Sequence, residues 1–181
     1  RRLLSETPVP REDIERILPV FEERRIPIAF VEKDRIYINF IDGRVRAAQK
    51  AISSELPETG CWAGGAVYLV NIFAEDETVL RALERMPRCR MTRWNPYGVD
   101  IIAEGGSKAK GMERLLAHFG AAREETIAFG DGENDMEMLG YAGIGVAMGN
   151  AEEKVKACAD YVTEAVDRGG ILSALRHFDI L

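Results

Sequence analysis

Histidine and cysteine are scarce in this sequence: two histidines (His118, His177) and three cysteines (Cys61, Cys89, Cys158) among 181 residues. An odd cysteine count with no C-x-x-C spacing argues against a disulfide framework or a zinc site, and a cytoplasmic location is the expectation. Both histidines fall near the ends of helical patterns, where solvated side chains are expected, so imidazole chemistry has little to draw on. Long apolar runs are missing too. The longest, 66–70 with 72–74, is interrupted by Asn71 and falls far short of the roughly 20 residues of a membrane-spanning helix. The opening Arg-Arg-Leu-Leu-Ser-Glu-Thr-Pro has no apolar h-region, and no signal peptide is read there. Positive charge is not in excess. Lysine and arginine number 24 against 30 acids, a net charge of −6, which argues against nucleic acid as a partner. What is present can build a core: 46% of residues are apolar, enough for one large domain or two small ones.

Residues 11–25 show helical spacing through Ile14, Ile17, Leu18 and Phe21, with Pro19 expected to kink or split the helix. Strands are expected at 28–31, 35–40, 66–73, 89–95 and 99–103, and helices at 43–53 and 76–86. The stretch 55–65, with Pro57, Gly60, Gly64 and Gly65, reads as a loop. This half is a mixed α+β unit. After Gly105-Gly106 the pattern becomes regular: helix 110–119 stopping at Gly120, strand 126–129, a short helix through Leu139, strand 144–147, helix 151–159, strand 161–163 and helix 170–178. Strand–helix repeats with short connections predict a parallel sheet.

The sharpest feature is Gly130-Asp131-Gly132-Glu133-Asn134-Asp135, between an apolar strand and a helix. Ligands of open α/β sheets bind beyond the carboxyl ends of the strands, where Asp131 stands. The two glycines allow a tight turn and leave room for a ligand. Asp135, four residues on, can turn back toward Asp131. Two converging carboxylates repel unless a cation lies between them, and hard oxygen ligands with open water positions suit Mg²⁺. The alternative is an Asx-turn closed by Asp131 with Asn134 or Asp135 capping the helix. A second feature is Lys108, just before a helix, where an ammonium can neutralise a bound phosphate. Lys110 lies further into the helix and is expected to be solvated.

A lysine at a strand-to-helix junction, one helix, one strand, then Gly-Asp-x-x-Asn-Asp: this order resembles the haloacid dehalogenase-like hydrolases, and their Cof-type sugar-phosphatase branch in particular. The run Tyr141-Ala-Gly-Ile-Gly-Val-Ala-Met-Gly-Asn-Ala-Glu-Glu-Lys-Val-Lys, then 159–163 and Gly169-Gly170-Ile171, is similar to that branch as well. The likeness in motifs covers 105–172; before it, only element order is similar to the branch's cap. The resemblance implies an α/β fold: the C-terminal half of a Rossmann-like core over 99–181, an α+β cap over 7–98, and 1–6 as a linker.

The resemblance further implies roles. Asp131 ligates Mg²⁺ directly and Asp135 supports the metal. Lys108 contacts phosphate and nucleophile, and Asn134 binds the substrate phosphate or orders the loop. The family's Asp-x-Asp, whose first Asp attacks phosphorus, does not occur here. The sequence therefore reads as lacking the N-terminal core segment, which would come from the same chain or a second one, and as inactive alone. The implied activity is a Mg²⁺-dependent phosphatase for small phosphorylated metabolites, with no nucleic acid or membrane partner. A non-catalytic phosphate- or partner-binding remnant and a phosphomutase are the alternatives. The cap would set specificity by covering the site, with Trp62, Tyr68, Trp94 and Tyr97 as candidate contacts, although packing is the expected role for most of them.

Overall fold

The computed structural model describes residues 3–181; of the stretch read as a linker, positions 1 and 2 lie outside the described residues. Two compact units meet in sequence at Gly106 and Ser107. The division read at 98/99 thus falls eight residues too early. Strand 98–103 cannot leave the first unit, because it is hydrogen-bonded between two of that unit's strands.

The first unit is a six-stranded sheet with three helices. Its elements are α1 (Arg11–Glu22), β1 (Ile28–Glu32), β2 (Ile36–Ile38), α2 (Gly43–Ala51), β3 (Glu58–Thr59), β4 (Val67–Ile72), α3 (Asp76–Leu83), β5 (Cys89–Asn95) and β6 (Gly98–Ala103). The sheet order is β3-β2-β1-β4-β6-β5, antiparallel except for the short β2/β3 pair. Strand alternation sends Ile28 and Phe30 to one face and Ala29 to the other. The first face forms one buried cluster with Ile14, Ile17 and Phe21 of α1 and with Val79 and Ala82 of α3. Each fully buried large side chain there contributes about 1.5–3 kcal/mol. Val45 and Ala48 of α2 cover Ala29, Ile38 and Phe73 on the second face.

Two buried polar side chains tie these layers together. Asn39 Oδ1 accepts the Ile28 and Phe40 N–H groups, and its Nδ2 donates to the Phe21 and Ile26 carbonyls. It thereby ends β2 earlier than the expected 35–40. Asp13 on α1, fully buried, accepts the Arg88 N–H at 3.0 Å and the Cys89 thiol at 3.6 Å, anchoring α1 to the start of β5. Burial, with the Asp13 charge, pushes the Cys89 thiol up to about 12, which leaves it inert at neutral pH.

Helix α1 continues through Pro19 as one element, so the expected split does not occur. Pro19 lies on the exposed side, and its own carbonyl still accepts the Glu23 N–H at 2.9 Å. The missing donor is therefore a solvent-side loss, while Ile14, Ile17 and Phe21 hold the helix to the sheet.

The second unit is built differently. Helix α4 (Lys108–Phe119) starts two residues earlier than expected, because the Ser107 hydroxyl caps it by accepting the Lys110 N–H at 3.1 Å. It stops at Gly120, whose φ of 66° is left-handed backbone that glycine adopts without penalty. Then come β7 (Ile127–Gly130), α5 (Met136–Tyr141), β8 (Ile144–Ala147), α6 (Glu153–Lys156), β9 (Tyr161–Val162) and α7 (Gly170–His177). The strands are parallel, in the order β7-β8-β9. The buried cluster is small: Leu139, Ala147, Ala151 and Val155. Helix α4 has no fully buried residue, and Phe119 at its end is 74% exposed.

Both histidines sit on helix ends, as expected, His118 against Phe119 and His177 stacked on Tyr161 at 4.2 Å. All three cysteines are free thiols.

Candidate active site

Strand β7 delivers the chain to Gly130, and the loop beyond it turns through a short 3-10 segment (Glu133–Asp135) into α5. Asp135 ends that segment, 3% exposed. Its side chain folds back into the loop: Oδ2 accepts the Asp131 and Gly132 N–H groups, each at 3.0 Å. Its Oδ1 receives the ammonium group of Lys108 from the first turn of α4. Gly130 makes this fold-back possible. A Cβ there would stand 2.4 Å from the Asp135 Cβ. The room expected for a ligand at Gly130 is thus filled by Asp135.

Burial alone would raise the Asp135 carboxyl. The Lys108 ammonium and the backbone N–H groups of Gly132 and Asp131 outweigh it and hold the carboxyl below the ordinary aspartate range. The loop is therefore anchored by a charge-assisted network closed by Asp135, not by Asp131 as the Asx-turn alternative requires. Nor does Asp135 cap α5 through its side chain.

Asp131 is exposed at the tip. Its Oδ2 accepts from Asn150 Nδ2 at 3.0 Å, and Oδ1 has no hydrogen-bond partner among the described residues. Asn134 is half-buried beside Gly132, its amide likewise making no hydrogen bond among the described residues. Lys110 points elsewhere and pairs with Glu113 at 2.7 Å on α4. Of the four residues singled out from sequence, Lys108, Asp131 and Asp135 are joined through the loop, and Asn134 lies on the same loop without a link to them.

Two neighbours were not anticipated. Asn150, three residues past β8, bonds Asp131, and Lys154 pairs with Glu133 and with Glu152. A polar residue just beyond the carboxyl end of the next parallel strand is the signal that could have found Asn150.

No three His, Cys, Asp or Glu side chains cluster as a metal cage among the described residues. Mg²⁺ does not require one. It is held through one or two carboxylates and completes its shell with water and phosphate oxygens. Asp131, exposed and with Oδ1 open, fits that pattern. Asp135, engaged by Lys108 and two backbone amides, fits it less well as a direct ligand.

In the first unit two of the four aromatic candidates, Trp62 and Trp94, pack against the buried clusters. Trp94 meets Phe73 edge-on, and the Tyr68 hydroxyl donates to Glu6 at 2.6 Å. Trp62 Nε1 donates to the Gly65 carbonyl, its ring lies under Arg11, and both line a cavity of about 290 Å³. Tyr97 is exposed in the β5–β6 turn.

Comparison with known proteins agrees with this architecture. YkrA of Bacillus subtilis is 32% identical over 183 residues, which span 99% of this chain and 71% of YkrA. The 5-amino-6-(5-phospho-D-ribitylamino)uracil phosphatase YcsE of the same organism is 36% identical over 100 residues, 55% of this chain and 40% of YcsE. Among solved structures, the subclass IIB sugar phosphatase BT4131 superposes with a TM-score of 0.87 at 34% identity, covering all of this chain and 71% of that one. No helix among the described residues is long and apolar enough to cross a membrane. The family model for haloacid dehalogenase-like hydrolases matches residues 1–175, and the chain belongs to that family.

Proposed function

We propose that this chain serves a Mg²⁺-dependent phosphatase acting on small phosphorylated metabolites such as sugar phosphates. One observation carries the reading: the Lys108 ammonium is fixed on Asp135 at the carboxyl end of β7, with the open Asp131 carboxylate on the same loop. The sugar phosphatase BT4131 and the phosphatase YcsE support the substrate class.

In this reading Asp131 holds the cation through Oδ1. Mg²⁺, when bound, neutralises charge on the phosphoryl oxygens. Lys108 adds a fixed positive charge where negative charge develops, and Asp135 keeps that ammonium in place. Asn134 offers its amide to the substrate phosphate. The 181 residues contain no Asp-x-Asp, so the attacking carboxylate comes from outside them. Its oxygen bonds to phosphorus as the phosphorus–alkoxide bond breaks, and the alkoxide leaves with a proton from an acid. Water then hydrolyses the aspartyl-phosphate. Three free thiols suit a cytoplasmic setting.

The test is phosphate release from a panel of sugar phosphates by the chain in its full natural length, with Mg²⁺ and after chelation. Metal-dependent release that Asp131→Asn lowers by about 10²-fold or more is expected. Binding without hydrolysis, or isomerised sugar phosphate in place of free phosphate, would overturn it.

A further inference from the structure

Two side-chain links tie the loop after β8 to the acidic loop after β7. Asn150 Nδ2 donates to Asp131 Oδ2 at 3.0 Å, and the Lys154 ammonium pairs with Glu133. Asn150 is exposed, so packing does not fix its orientation. A hydrogen bond does: its Oδ1 accepts the Val166 N–H at 2.9 Å, from the first residue of the 3-10 turn (Val166–Arg168) that precedes α7. The two ends of a carboxamide are chemically distinct, one accepting and the other donating. A backbone N–H at the oxygen end therefore turns the NH₂ end toward Asp131. That bond occupies Oδ2 and leaves Oδ1 open.

We propose that Asn150, oriented by the Val166 N–H, is a positioning residue that sets the rotamer of Asp131 and presents Oδ1 to the cation. The proposal rests on the phosphatase reading of the acidic loop. Asn150 itself touches neither cation nor phosphate; it acts through Asp131, as outer partners of metal-ligating carboxylates do.

Two variants separate the links. Asn150→Ala removes both hydrogen bonds. Val166→Pro removes only the N–H that orients Asn150. Ala165, at φ −63° and ψ 158°, already has the extended geometry a following proline demands, and the first position of a helical turn tolerates proline. Val166 is 63% exposed, so little packing is lost.

The experiment is Mn²⁺ binding, by electron paramagnetic resonance in the presence of inorganic phosphate, to the chain in its full natural length. Melting temperature and the Mg²⁺ dependence of phosphate release are measured alongside. Asn150→Ala is expected to weaken Mn²⁺ about tenfold and to raise the Mg²⁺ requirement more than it lowers kcat, at an unchanged melting temperature. Val166→Pro is expected to do the same to a smaller extent, roughly threefold. Affinity within twofold of the parent for Asn150→Ala, where Asp131→Asn abolishes binding, would overturn the positioning role alone. Unchanged binding in Asp131→Asn would overturn the metal reading, and this proposal with it. If Asn150→Ala fails to fold, a folded Val166→Pro with parental affinity overturns the orienting step.

Discussion

The two units are held together by different physics. In the first, α1 and α3 press Ile14, Ile17, Phe21, Val79 and Ala82 onto a six-stranded sheet, and its buried polar groups Asn39 and Asp13 are satisfied inside the fold. In the second, only Leu139, Ala147, Ala151 and Val155 form the buried cluster, and the loops at the carboxyl ends of the strands are set by charged groups. Apolar burial carries no titrating group, whereas exposed ion pairs weaken with screening by salt and with protonation of the carboxylate. The candidate chemistry sits in the unit whose geometry depends on charge, and the larger core sits in the other.

Four perturbations would break or sharpen this contrast. The largest effect is expected from Phe30→Ala, which empties the centre of the first core and should cost about 3–5 kcal/mol in denaturant unfolding. Mn²⁺ binding by the folded fraction should stay the same, and a parallel loss of metal affinity would mean that the two units are not separable in this way. Next comes Asn39→Ala. It leaves the buried Ile28 N–H and the Phe21 carbonyl without their partner and should cost about 2–3 kcal/mol, again read by unfolding.

Acid should act on the second unit first. The folded-state carboxyl of Asp135 is depressed, so its contribution is fully present above the unfolded value of about 3.9 and is lost as pH falls through the lower folded value. Amide protection at Asp131 and Gly132, which donate to that carboxylate, should fall relative to intrinsic exchange below about pH 4 before that of Phe30 does. The smallest effect is expected for Lys110→Ala, which loses one exposed pair with Glu113 and should stay within about 0.5 kcal/mol of the parent.

Periodicity was informative where one face of an element is buried and the other wet. Helix α1 was readable because helical spacing marks a single buried face, whereas β1, buried on both faces through Ile28, Ala29 and Phe30, was readable as a short apolar run after Pro27. Periodicity was uninformative where a side chain from elsewhere decides. Asn39 ends β2 by bonding residues 11 to 18 positions away. Strand β3 has two exposed residues and no alternation to read. Helix 151–159 shrank to Glu153–Lys156, a length that spacing alone does not set. The division at 98/99 mistook a hairpin turn for a boundary, because pairing of β6 with β4 and β5 is not local information.

The site divides the same way. Lys108, Asp131 and Asp135 were found because a short motif places them within one strand–loop–helix unit and the helix before it. The role of Asp135 as the loop's internal anchor was not legible, since it depends on the missing Cβ of Gly130. Asn150 reaches Asp131 across 19 positions of sequence, and only its place just beyond the carboxyl end of β8 points to such a bond.

The most direct test of the central claim compares kcat/KM for a sugar phosphate between Lys108→Ala and Lys110→Ala in the chain at its full natural length. The two lysines are two positions apart on one helix, but only Lys108 reaches the acidic loop. A loss of about 10²–10³-fold for Lys108→Ala, with Lys110→Ala near the parent, is the predicted result. Equal rates for the two variants would contradict the assignment of this loop as the phosphoryl-transfer site.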